Sequence, residues 1–163
     1  MAVVSVPTEV TKLEIEEELG AAEAWAERHQ IPFKWIEDRL ELQVVLTQPE
    51  SKDLYYLKGV FDDYKEMPPK WIFTDSNWSD EIKKQNFPKG ESTPFGSSMF
   101  HPNGVICAPF NRLAYKVYDG PHSDWGSPAQ WLNAARDKVV ADTMGDMLSA
   151  IYRDFRYTKT HLS

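Results

Sequence analysis

The chain has 163 residues, 42% of them apolar and 13% aromatic, which is enough for one domain whose core needs no disulfide or metal staple. A net charge of -7 and a pI of about 5.1 disfavour a nucleic-acid partner, because phosphate binding requires clustered Lys and Arg. Met1 to Val10 lack the basic start and apolar run of a signal peptide, and no stretch is apolar enough to span a membrane, so a cytoplasmic protein is expected.

Thr11-Lys12-Leu13-Glu14 fits a capping box and predicts a helix over Thr11 to His29, with Ile15, Leu19, Ala22 and Ala26 on one face. Gln30-Ile31-Pro32 ends it. The opposite face carries Glu16, Glu17, Glu18, Glu23 and Glu27 against Lys12 and Arg28, and reads as solvated.

From Phe33 the pattern turns β-branched and aromatic. Phe33 to Ile36, Leu40 to Leu46, Leu54 to Phe61 and Trp71 to Thr74 predict four strands, and the polar links Glu37 to Arg39 and Gln48 to Asp53 are short enough for an antiparallel meander. The prolines of Met67-Pro68-Pro69-Lys70 fix an extended entry to the fourth strand.

Asp75 to Met99 shows no sustained period and predicts a long loop with one helical turn near Asp80 to Lys84. Leu113, Tyr115 and Val117 alternate with polar positions, and Asp119-Gly120-Pro121 is turn chemistry. Ser127 as N-cap, Pro128 at the first helical position and Gln130 as partner predict a C-terminal helix. Leu132, Ala135, Val139, Val140, Met144, Met147, Leu148, Ile151 and Phe155 supply its apolar spacing as one helix or two, with Gly145 weakening the middle. Residues 1 to 163 thus read as a single domain.

The one cysteine, Cys107, ends the run His101-Pro102-Asn103-Gly104-Val105-Ile106-Cys107. A single thiol forms neither an internal disulfide nor a thiolate metal site, which leaves packing or reactivity, and an unpaired thiol agrees with a reducing compartment. An amide, Asn103, and an imidazole, His101, within one loop or hairpin of the sulfur favour a reactive role. Asn103-Gly104 is equally a strong turn signal, so the asparagine reads both as a donor to a developing oxyanion and as a turn residue.

Three ordered motifs carry a resemblance to the ubiquitin-conjugating enzyme family over about Thr11 to Phe155. Tyr64-Lys65-Glu66-Met67-Pro68-Pro69-Lys70-Trp71-Ile72-Phe73 is similar to its Tyr-Pro-x-x-Pro-Pro-x-x-x-Phe. His101-Pro102-Asn103 with Gly104-Val105-Ile106-Cys107 resembles its active-site stretch, and Trp125-Gly126-Ser127-Pro128-Ala129 its Trp-Ser-Pro-Ala.

The resemblance implies an α+β fold: an N-terminal helix, a four-stranded antiparallel meander, an active-site loop and a C-terminal helix. It further implies that Cys107 takes a ubiquitin-like protein from an activating enzyme as a thioester and passes it to an amine of a target, with no cofactor and no metal. Asn103, His101 and His122 are the assisting candidates, with Arg112 a further cation near the thiol and Asp119 and Asp124 further groups for the attacking amine. In the family His101 holds the loop by hydrogen bonding.

Departures from the family pattern are informative. Asn103 and Gly104 are adjacent where members usually have several intervening residues. Asp75 to Met99 and Ala108 to Asp124 are long, one C-terminal helical run stands where eukaryotic members have more, and the first helix is acidic where theirs is basic. These features resemble the bacterial branch of CBASS and ubiquitin-like antiphage operons, and imply a co-encoded activating enzyme and a target such as a cGAS-like nucleotidyltransferase. The alternatives are a non-catalytic module of the same fold that binds a ubiquitin-like protein or peptide, and a thiol protease or transferase built on Cys107, His122 and Asp124.

Overall fold

A computed structural model describes residues 5–133 and 141–163. Helix α1, Thr8–Arg28, precedes a four-stranded antiparallel sheet in the order β1 (Phe33–Ile36), β2 (Glu41–Thr47), β3 (Leu54–Val60), β4 (Lys70–Thr74). The expected meander is therefore present, with Trp35 opposite Leu42, Val44 opposite Leu57 and Leu57 opposite Phe73. A two-stranded hairpin, β5 (Phe100–His101) with β6 (Val105–Ile106), follows, and α2, Met144–Phe155, closes the described order.

Strand alternation sorts the sheet's faces. Leu42, Val44, Leu46, Leu57, Trp71 and Phe73 are buried in one core with Ile15, Ala22 and Trp25 of α1 and Met147, Leu148, Ile151 and Phe155 of α2. On the other face the buried Lys58 ammonium donates to the carbonyls of Trp78 and Ser79 and pairs with Asp80, which draws the loop after β4 across the sheet.

Three expectations are corrected. The first helix begins at Thr8: the Pro7 carbonyl accepts from the amides of Val10 and Thr11, so Thr11 is not an N-cap. Its hydroxyl lies on the buried face and donates to the Tyr64 carbonyl at 2.8 Å. Glu18 belongs to that same buried face, 8% exposed, whereas Glu16, Glu17, Glu23 and Glu27 are exposed as expected.

The Ser127 segment forms a 3-10 helix, Pro128–Asn133, rather than the start of a continuous α-helix. Half of the expected cap chemistry is there, since Ala129 N donates to Ser127 Oγ and Ser127 N to Gln130 Oε1, but Ala141 to Thr143 are not helical. The α-helix begins afresh behind its own cap, Thr143, which accepts from Asp146 N. Gly145 then lies in its first turn rather than mid-helix, and seats α2 against Ala22 of α1. Ala135, Val139 and Val140 lie outside the described residues.

Smaller shifts follow the same logic. The helical turn of the long loop is at Lys84–Asn86, and the stretch around Leu113 to Val117, whose alternation left its structure open, forms the 3-10 turns Arg112–Ala114 and Lys116–Tyr118. Among the described residues no helix is long and apolar enough to cross a membrane.

The Tyr64 motif acts as a clasp. Tyr64 is fully buried, edge-on to Phe61 with ring centroids 5.0 Å apart, and its hydroxyl donates to Glu18 Oε1 at 2.7 Å. Glu18 also accepts from Lys65 Nζ at 3.0 Å and from Met144 N at 2.7 Å, so one carboxylate joins α1, the entry to β4 and the N-terminus of α2. Trp131 of the 3-10 helix covers Tyr64 and donates its indole N–H to the Lys65 carbonyl.

Candidate functional site

Cys107 directly follows β6, its amide donates to the Met99 carbonyl at 2.6 Å, and the Ala108 amide donates to the Ile106 carbonyl at 3.2 Å, so the cysteine sits at the centre of a tight turn that leaves the hairpin. It is half-buried and free. Burial pushes the thiol up to about 11 from an ordinary 9.0, leaving it protonated at neutral pH.

The backbone behind the sulfur is held by an asparagine that sequence inspection did not single out. Strand β4 is a sheet edge with unpaired amides and carbonyls. Asn111, completely buried, accepts the Trp71 amide on Oδ1 at 2.9 Å and donates from Nδ2 to the Ile106 carbonyl at 2.8 Å. The neighbouring Arg112 amide donates to the Pro69 carbonyl just before β4, so the start of that edge is covered and the residue before Cys107 is tied to the sheet. The Tyr115 hydroxyl fastens the chain beyond the cysteine by donating to the Pro109 carbonyl at 2.7 Å.

A pocket of about 300 Å³ opens at the sulfur and brings Cys107 together with His122, Trp125, Arg153 and Asp154, with Phe95, Met99 and Pro109 among its other walls. His122 belongs to a pinned turn: its amide donates to the Ala114 carbonyl and its carbonyl accepts from Lys116 N. That turn requires Gly120, because a Cβ there would lie 2.2 Å from the Ala114 carbonyl carbon. The His122 ring is stacked on Trp125 with centroids 3.6 Å apart and planes 7° from parallel, and its Nδ1 lies 3.5 Å from Asp124 Oδ1.

The other expected site residues are elsewhere. Asn103 is exposed at the tip of the β5–β6 hairpin, in a turn closed by Gly104 N donating to the His101 carbonyl. Gly104 supplies the positive φ, 83°, that this tip requires. At about 3.3 Å per residue, the length of β6 separates the tip from Cys107, and Asn103 does not line the pocket.

His101 does not line it either. Its Nδ1 accepts the Asn103 amide at 3.1 Å and so braces the turn. Arg112 points away from the thiol: it is buried, its Nε donates to the Pro68 carbonyl, and its guanidinium pairs with Asp62. Asp119 takes a left-handed conformation in the tight turn before Gly120.

Arg153 and Asp154 were also missed by sequence inspection. Asp154, 2% exposed, accepts the Met99 amide on Oδ2 at 2.9 Å and the Arg153 Nε–H on Oδ1 at 3.3 Å. The Arg153 guanidinium lies 4.6 Å from the centroid of the Phe95 ring. In the sequence this pair reads only as charges in the last turn of a helix, 46 residues beyond the cysteine.

The arrangement places a thiol, an imidazole stacked on Trp125 and a cation paired with Asp154 around one small concavity. Among the described residues no group of three or more His, Cys, Asp or Glu is placed to hold a metal ion. Comparisons of the chain with protein-family models, with curated proteins and with solved structures return no match.

Proposed function

We propose that the protein is a ubiquitin-conjugating-like acyltransferase that carries a ubiquitin-like protein as a thioester on Cys107. The observation that carries this reading is the shared pocket of Cys107 and His122, which opens on the segment after the β5–β6 hairpin, downstream of a helix and a four-stranded meander. The three sequence motifs support it, each having a defined structural task around that segment.

The thiol begins protonated, so attack requires a proton acceptor. Asp124 Oδ1 lies 3.5 Å from His122 Nδ1, and a proton held on that side leaves Nε2 as the basic atom in this reading. Cys107 Sγ attacks the carbonyl carbon of the thioester on the activating enzyme, a new C–S bond forms as the old one breaks, and the departing thiolate takes the proton that His122 removed. In the second step an amine of the target attacks the Cys107 thioester. The amide forms, Cys107 leaves as a thiolate, and the proton lost by the amine returns to it through His122.

The exposed Glu16, Glu17, Glu23 and Glu27 of α1 call for an activating partner with a basic docking face, opposite to the eukaryotic arrangement. This supports a bacterial antiphage pathway with its own activating enzyme and ubiquitin-like protein, and a target such as a cGAS-like nucleotidyltransferase. Incubation with such a pair and ATP gives a thiol-sensitive adduct on a non-reducing gel, lost in Cys107→Ala and converted to a thiol-resistant ester in Cys107→Ser. An equally strong adduct in the alanine variant rejects the assignment.

A second reading, a thiol hydrolase, draws on the 3.5 Å approach of His122 to Asp124 beside the cysteine. Water in place of an amine is then the acceptor. Release of free ubiquitin-like protein from the thioester at the same rate with and without amine favours hydrolysis over conjugation.

A further inference from the structure

We propose that Arg153 is a catalytic residue of the Cys107 site, receiving the negative charge that develops on the acyl group bound to the sulfur. This assignment rests on the acyl-transfer reading and names the group that serves it. Both transfer steps pass through a tetrahedral carbon whose oxygen carries a full negative charge, and a positioned donor beside that oxygen lowers the barrier. Asn103, which reads from the sequence both as a donor and as a turn residue, stands at the hairpin tip, outside the pocket.

Arg153 is the guanidinium that lines the pocket with Cys107. Two contacts fix it. Asp154, itself anchored by the Met99 amide, takes the Nε–H at 3.3 Å, and the Phe95 ring lies 4.6 Å from the guanidinium carbon. Met99 is also the residue whose carbonyl accepts the Cys107 amide, so Asp154 sets the positions of the arginine and of the strand opposite the cysteine together.

Among the described residues no side chain or carbonyl accepts from Nη1 or Nη2, which leaves the two outer nitrogens to address the pocket. Asp154 lines the same pocket and offsets part of this charge, so what Arg153 adds there is N–H donation from the nitrogens that Asp154 does not engage. Arg153 therefore acts on what is attached to the sulfur, in line with a resting thiol that burial keeps neutral. The guanidinium is always charged and needs no proton transfer of its own.

The test uses two alkylating agents of nearly equal size, the anion iodoacetate and the neutral iodoacetamide. Both react through the thiolate, so the ratio of their rates cancels the ionised fraction and reports only the charge felt by the incoming group. Measured at high salt, where the long-range field of net charge -7 is screened, the wild-type ratio exceeds that of N-acetylcysteine amide. The expected excess is about three- to tenfold for a cation that lines the same pocket, is partly offset by Asp154 and stands in partly solvated surroundings.

Arg153→Gln removes the excess and Arg153→Lys retains most of it, while Asn103→Ala leaves it unchanged. A wild-type ratio no higher than that of the small thiol overturns the assignment, and so does an unchanged ratio in folded Arg153→Gln. If the glutamine variant fails to fold, Arg153→Met, which keeps the aliphatic stem, takes its place in the same comparison. With the conjugation partners, Arg153→Gln slows both loading and discharge by about a hundredfold, and Arg153→Lys restores part of each. Because alkylation needs no partner, a positive ratio without any adduct rejects conjugation alone, whereas normal transfer by Arg153→Gln rejects the arginine alone.

Discussion

Removing the Asn111 side chain disconnects the residue before Cys107 from the sheet. In Asn111→Ala the Trp71 amide and the Ile106 carbonyl both lose their partner in a fully buried setting, and the weaker 3.3 Å bond from Leu113 N is lost as well. Each orphaned group costs about 1–3 kcal/mol, so the variant loses about 3–5 kcal/mol of unfolding free energy. Urea denaturation followed by tryptophan fluorescence measures it.

Asn111→Asp sharpens the test. Aspartate keeps the acceptor for Trp71 N but turns a second acceptor toward the Ile106 carbonyl, and burial raises its folded-state pKa above the unfolded value of about 3.9. A group with a raised folded-state pKa contributes stability below its unfolded pKa and loses it as pH rises through the folded pKa. The deficit of Asn111→Asp relative to wild type therefore shrinks as pH falls from neutrality toward 4, when the protonated carboxyl donates to Ile106. The alanine deficit does not change with pH in this way. A loss below about 1 kcal/mol for alanine, or a pH-independent aspartate deficit, would refute this reasoning.

Glu18→Ala, which strips acceptors from Tyr64, Lys65 and Met144, costs about 2–4 kcal/mol in urea unfolding, and Glu18→Gln costs less because it still accepts; equal losses would show that charge rather than hydrogen bonding matters. Alkylation of Cys107 by iodoacetamide rises about tenfold per pH unit and levels only near 11, whereas an unhindered thiol levels near 9.0; a plateau at or below 9.0 excludes the burial argument. The same raised pKa makes the stability contribution of the neutral thiol present below 9.0 and lost between 9.0 and about 11, read as a declining stability difference from Cys107→Ala. Gly120→Ala forces the His122 turn away from the Ala114 carbonyl and destabilises by about 1–3 kcal/mol; an unchanged urea midpoint would mean that the turn relaxes freely.

Local sequence determined the meander, because each strand carries its own β-branched or aromatic run and the short polar links leave little choice but antiparallel pairing. The Asn103-Gly104 turn was legible for the same reason: its chemistry lies within four consecutive residues. The first helix was legible to within a turn, but its start was not, and the α-helix expected from Ser127 begins only at Met144. Thr11 and Glu14 match a capping box, yet Thr11 gives its hydroxyl to a carbonyl 53 residues away, a partner no local pattern reveals. Glu18 looked like one more solvated acid among its neighbours until Tyr64, Lys65 and Met144 converged on it.

Cys107 could be singled out from sequence because it stands alone within a motif; its company could not. His122 was recognised as a candidate, but its stacking on Trp125 depends on how the turn folds back onto Ala114. Asn111 mattered only once β4 became a sheet edge with an amide to satisfy, and Arg153 only once α2 crossed behind the hairpin to set Asp154 against Met99. Periodicity and turn chemistry act over a few residues, so the sequence alone determined which elements exist. Burial and hydrogen-bond satisfaction act across the whole chain, so tertiary packing alone decided which side chains meet at the sulfur.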